Sequence, residues 1–192
     1  MSVNIVDGIL VAIVAASMFY GWKAGVLRLL VAVTAVMVGF IAARELYVPI
    51  AEVFSLAAGF RPPNIFDGLS YLWVWCLATV GWTWAIRRVY PHTKLYDAEV
   101  GGWLWSIDHF GGLALGAVLG VLLAVALVGV AEMIVYYRWP GFVPSGGRDL
   151  VHIGFRDAAL VNWMFTQAPG LAEFMGHWVP GVALAQEGRP QT

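Results

Sequence analysis

Four histidines, one cysteine and twelve carboxylates are what this 192-residue chain offers for side-chain chemistry. Their spacing argues against catalysis. His92, His109, His152 and His177 are scattered, and none has a partner at metal-ligand spacing. There is no His-Glu-x-x-His, no Gly-x-Ser-x-Gly and no P-loop. Ser145 is a lone serine in the loop-like Pro144-Ser145-Gly146-Gly147. Cys76 is the single cysteine and lies inside an apolar run, so no disulfide forms within the chain. The residues therefore predict a protein that is not an enzyme and that holds no metal or cofactor.

What chemistry remains is that of charge in an apolar setting. Asp7, Arg28, Asp108 and Glu132 fall in or beside long apolar stretches, where an ionised group is costly and is a functional candidate by default. All four lie near the ends of predicted helices, which reads as anchoring or capping rather than translocation. Asp108 stands at the predicted entry to an apolar helix, where a carboxylate also favours the positive end of the helix dipole.

Two further patterns concern packing. Gly112-x-x-x-Gly116-x-x-x-Gly120 puts three glycines on one face of a helix, a groove that another helix can approach closely. Its partner is either another helix of the same chain, the reading favoured, or a second copy. Trp73-Val74-Trp75 and Trp82-Thr83-Trp84 bracket one apolar stretch and read as interfacial belts, because amphipathic rings favour the headgroup level. A pigment or quinone site is the sharper alternative. No histidine lies deep in a span to ligate a haem or chlorophyll metal.

The elements that must position these residues follow from composition. Apolar residues make up 60% of the chain and charged residues 12%, against about half and about a quarter in a typical soluble domain. The bilayer is the solvent that accepts such a surface. Spanning it takes roughly 20 mostly apolar residues in helical form. Residues 4–22, 25–43, 68–86 and 110–136 meet or approach that, which predicts an all-α polytopic membrane protein of about four transmembrane helices. Lys23 and Arg28 snorkel to the interface. The residues before the first stretch carry no lysine or arginine, so it is a retained helix rather than a cleaved signal. Gly21-Trp22-Lys23-Ala24-Gly25 leaves room only for a tight turn and an antiparallel hairpin.

Arg44 closes the second predicted helix. Residues 46–63, with Pro49, Pro62 and Pro63, suggest a short interfacial helix and then a break. The patch Gly101-Gly102-Trp103-Leu104-Trp105 precedes the fourth helix. The predicted organisation is a transmembrane domain over residues 1–137 and a linker with an amphipathic interfacial tail over 138–192. In that tail Pro140, Gly141, Pro144, Gly146 and Gly147 form the linker. Residues 149–165 form an amphipathic helix with the polar stripe Asp149, His152, Arg156, at the interface or covering the bundle. Gln167-Ala168-Pro169 breaks it, and Leu171, Phe174, Met175 and Trp178 mark a shorter amphipathic segment.

A net charge of −1 suggests no nucleic-acid partner. The partners implied are the lipid bilayer and either a homo-oligomer or a larger membrane complex. Lysines and arginines are almost balanced between the two sets of loops, so charge alone does not orient the chain.

Several of these features occur in an order that resembles the colicin V production protein family of bacterial inner-membrane proteins. Asn4-Ile5-Val6-Asp7-Gly8-Ile9-Leu10 leads through Tyr20-Gly21-Trp22-Lys23-Ala24-Gly25-Val26-Leu27-Arg28 into a second apolar helix. Ile107-Asp108-His109-Phe110-Gly111-Gly112-Leu113-Ala114-Leu115-Gly116 is similar to the family's second hallmark. The resemblance covers residues 4–130 and singles out Asp7, Gly21, Gly25, Arg28 and Asp108. One departure is Val118-Leu119-Gly120-Val121-Leu122, which lacks the basic residue often found there. The likeness implies a multi-pass protein of the bacterial inner membrane. It also implies a non-enzymatic role in toxin production or secretion, or in envelope homeostasis. Some relatives carry an extracytoplasmic protease after the membrane domain, which implies that both termini lie outside. An accessory subunit of a bioenergetic complex and a small oligomeric transporter or channel are the alternative readings.

Overall fold

The computed structural model describes residues 4–59, 65–89, 102–135, 154 and 157–182. Among these the chain forms helices α1 (Ile5–Ala58), α2 (Ile65–Val89), α3 (Gly102–Val135), α4 (Ala159–Gln167) and α5 (Pro169–Trp178), with no strand. Helices α1 and α2, and residues Ser106–Ile134 of α3, are long and apolar enough to cross a membrane. The fold is all-α, as the sequence implies.

Helix α1 is two antiparallel segments joined at one residue. Gly25 has φ 76° and ψ 169°, a backbone region that is essentially glycine-only. It divides α1 into α1a (residues 5–24) and α1b (residues 26–58). Segment α1a runs antiparallel to α3, with Val14 opposite Gly120, Ser17 opposite Gly116 and Gly21 opposite Gly112. Segment α1b runs antiparallel to α2, where Phe40 stacks on Trp75 and Tyr47 meets Tyr71 edge-on. Asp7 at the start of α1a and Arg44 along α1b both reach the C-terminal segment. The chain has therefore doubled back. At about 1.5 Å per residue α1a is roughly 30 Å long, the thickness of a hydrocarbon core.

Helix α3 is central and α2 peripheral. Of their most apolar stretches 56% is buried in α3 and only 17% in α2. Large apolar side chains cover the outside, including Phe19 at 60%, Val80 at 67% and Val118 at 53% exposed. Such a surface is unmanageable in water and ordinary in lipid. Leu29, Phe40, Tyr71, Val128 and Val161 are almost fully buried and mark the core between the helices.

Three boundaries differ from the expected ones. The second segment does not end at Arg44; it runs through Pro49 to Ala58, where Gly59, with φ 70°, closes it by donating its N–H to the Leu56 carbonyl. Proline inside a helix removes one backbone hydrogen bond, and neighbouring groups in a membrane bundle can compensate. Helix α3 begins at Gly102, so the stretch 102–105 expected ahead of it is helical. The tail helix expected over 149–165 is represented by α4, preceded by non-helical Ala158. Asp149, His152 and Arg156 lie outside the described residues. The expected break falls at Ala168, and Pro169 opens α5 at a position that suits its missing N–H.

Candidate functional site

Wherever a helix begins, its first backbone N–H groups lack intrahelical partners, and in an apolar setting each must be satisfied from elsewhere. The sharp break at Gly25 creates such a start in the middle of α1. Asp108, on α3, supplies the missing acceptor: Val26 N–H donates to its Oδ1 at 2.9 Å. The carboxylate lies so close to Gly25 that a β-carbon there would overlap it. Two constraints thus coincide at Gly25, a positive φ and the lack of space. Because α3 starts at Gly102, Asp108 lies inside its own helix and acts on the start of another.

Asp7 does the same at the opposite end of the bundle. Leu160 N–H donates to its Oδ1 at 2.8 Å, and Ala159 N–H to its Oδ2 at 3.1 Å. These are the first two residues of α4, about 150 positions away in sequence. The Asn4 N–H donates to Oδ2 at 3.3 Å, and the Asn4 side-chain Nδ2 donates to the Gly154 carbonyl at 2.7 Å. Asp7 is only 5% exposed, so three N–H donors and the helix dipole hold its charge in place of water.

The glycine stripe joins the two ends. Gly112, Gly116 and Gly120 face α1a within the same chain. A β-carbon at Gly116 would meet the Ser17 carbonyl at 2.5 Å and Met18 Cα at 2.9 Å, and at Gly120 it would meet Val14 Cα at 2.7 Å. The opposing face repeats the pattern as Ser17-x-x-x-Gly21-x-x-x-Gly25. That second stripe was readable in the sequence but was obscured there by the turn to which Gly21 and Gly25 also belong. Backbone-to-backbone approach along both stripes supplies dispersion and Cα–H···O contacts, which drive association where lipid offers no hydrophobic force.

Further ties fix the C-terminal segment. Tyr71 Oη donates to the Trp178 carbonyl at 2.9 Å, satisfying an orphan group at the end of α5. Arg44 bonds His177 Nε2 and lies over the Trp178 ring. A β-carbon at Gly181 would overlap Gly129, and Val179 and Val182 are fully buried. Ser17, Gly129 and Gly181 carried no signal of these contacts in the sequence.

The remaining candidates are dispersed. Arg28 is exposed beside the Gly25 break, and Glu132 is 6% exposed in the last turns of α3. Trp73 at 58%, Trp82 at 39% and Trp84 at 64% exposed point outward, whereas Trp75 turns inward onto Phe40. Trp73 and Trp84 lie about 16 Å apart along the axis at 1.5 Å per residue, roughly half a hydrocarbon core. The two pairs are therefore too close to mark both headgroup levels of an upright helix. Among the described residues no group of three His, Cys, Asp or Glu could hold a metal ion.

The structural elements at both aspartates fall within a single family match. The family described as Colicin V production protein matches residues 6–164, from α1 into α4. Comparison with curated proteins and with solved structures gives no significant match. With most of its length matched, the chain belongs to the colicin V production protein family.

Proposed function

We propose that this chain is a non-enzymatic, multi-pass protein of the bacterial inner membrane that supports toxin production or secretion, or envelope homeostasis. Its family membership supports the biological context. The observation that carries the membrane reading is the bundle itself. Among the described residues its outer surface carries many exposed apolar side chains, and Asp7 and Asp108 are spent on backbone N–H groups rather than aimed at a substrate. On this reading the aspartates make an irregular chain compatible with lipid.

The end bearing Lys23, Arg28, Arg87 and Arg88 is the cytoplasmic one, and both termini lie outside. A phosphatase reporter fused after Arg189 should be active outside the cytoplasm, and a cytoplasmic signal there would sink the orientation. The role itself is tested by deleting the gene. Secretion of a peptide toxin or exclusion of an envelope-impermeant dye should fall and be restored by the intact chain. Restoration by Asp108→Ala as complete as by the intact chain, at equal membrane abundance, would count against the capped bundle as the active form. The exposed side of α2 also favours a second reading, in which this chain is itself an accessory subunit of a larger membrane complex and α2 is its contact face. Mass measurement in mild detergent separates that from a bare particle.

A further inference from the structure

Beside the Gly25 break, α1 and the end of α2 enclose an open groove of about 650 Å³. Lys23, Arg28 and Arg87 line it, and Leu27, Val31 and Ile86 form apolar walls. Both elements place their cations at the same level. Lys23 and Arg28 flank the turn, and Arg87 lies in the last turn of α2. No carboxylate lines the groove among the described residues, and none of the three cations has an ion-pair partner there. The Lys23 ammonium rests 4.6 Å from the centre of the Phe19 ring, a contact that supplies no counter-charge.

Three like charges gathered along one groove repel one another, and the apolar wall beside them is uncovered among the described residues. An anion that carries its own apolar chain resolves both problems at once. We propose that this groove is a binding site for an anionic glycerophospholipid, its phosphate held by Lys23, Arg28 and Arg87 and an acyl chain lying against Leu27, Val31 and Ile86. The inference rests on the membrane reading above. Basic pockets between transmembrane helices on the cytoplasmic side take such headgroups, and arginine offers a bidentate fork for phosphate oxygens. Arg88, next in sequence, lies over the Trp84 ring and does not line the groove.

The test uses the full chain purified in zwitterionic detergent, with native mass spectrometry and thermal stability read against added lipid. Diphosphatidylglycerol and phosphatidylglycerol should remain bound and raise the melting temperature, whereas phosphatidylcholine should do neither. The Lys23→Gln, Arg28→Gln, Arg87→Gln triple variant should lose the preference, by roughly fivefold in affinity per cation, while keeping its stability in phosphatidylcholine. Arg88→Gln should keep the preference. If the triple variant does not fold, the charge-conserving Lys23→Arg, Arg87→Lys pair must still bind anionic lipid, and loss in that pair would count against a site set by charge. Equal binding of anionic and zwitterionic lipids overturns the proposal, as does full stabilisation by inorganic phosphate alone, which would make it a free-anion site. Carbonate extraction of native membranes separates the two levels. A chain released by carbonate overturns the membrane reading, whereas a retained chain with no lipid preference overturns only this site.

Discussion

The two ends of the bundle solve the same problem with different amounts of structure. At the Gly25 end the chain must reverse within one residue, and Asp108 satisfies a single N–H, that of Val26. At the Asp7 end a segment remote in sequence must be attached, and Asp7 satisfies both Ala159 and Leu160 while also bonding Asn4. The first site has little side-chain machinery because the covalent turn and the glycine stripes already hold the segments together. The second is deeply buried and has more hydrogen bonds because nothing covalent brings α4 there. Capping across the bundle thus serves as reinforcement of a covalent turn in one place and as one of several attachments of a remote segment in the other.

The largest effect should come from Gly25→Val. A β-branched residue at φ 76° is strained by about 1–3 kcal/mol, and its β-carbon would also displace the Asp108 carboxylate. Loss of the Val26 acceptor adds a further ~1–3 kcal/mol. Unfolding in mixed micelles should show a severe loss of stability in the whole bundle. A near-native midpoint would mean that the turn is not formed as described.

Next comes Asp7→Ala, which leaves the part-buried Ala159 and Leu160 N–H groups without their acceptor at about 1 kcal/mol each, the low end for such groups. Here the damage should be local. Hydrogen exchange should rise over 159–178 and remain unchanged around Val26. Exchange that rises equally at both ends would merge the two sites into one cooperative unit and remove the contrast between them.

Gly116→Ile should cost on the order of 1–3 kcal/mol, the range for overpacking, because Ser17 and Met18 backbone atoms occupy the space. The variant should lose thermal stability as a single chain. A folded variant that merely shifts to smaller oligomers would place the seam between copies instead. Leu119, off the stripe in the sequence, is itself 5% exposed, so Val118→Ile at an exposed site is the neutral comparison. The smallest effect belongs to Arg44→Gln, about 0.5–1 kcal/mol for a partly exposed contact. It should loosen α5 without touching the hairpin, as measured by proteolysis near Trp178.

The sequence carried much of this and omitted a definable part. Helical class, the tight turn at Gly25 and the Gly112–Gly116–Gly120 stripe were legible because hydropathy, turn chemistry and small-residue spacing are local signals. The capping role of Asp7 was legible in kind, since a carboxylate beside a helix end has few other uses, whereas Asp108 was expected at the entry to its own helix and instead lies inside it. Their partners were not, because Val26 lies 82 positions from Asp108 and Leu160 lies 153 from Asp7. Pro49 and Arg44 misled for a physical reason. In a soluble helix both favour termination, whereas here the helix continues to Ala58 and Arg44 is engaged by His177 and Trp178. The buried turn around Gly181 was invisible, since its close contact with Gly129 depends on the tertiary path of the tail.

Asp108 and Asp7 act independently, each capping a helix that is not its own. Amide proton shifts in lipid nanodiscs read this directly, because an N–H donated to a carboxylate resonates downfield. Asp108→Ala should move the Val26 amide upfield and leave Ala159 and Leu160 in place, and Asp7→Ala should do the reverse. If Asp108→Ala leaves Val26 unmoved, or if either variant shifts both sets of amides, the bundle does not hold two separate cross-bundle caps.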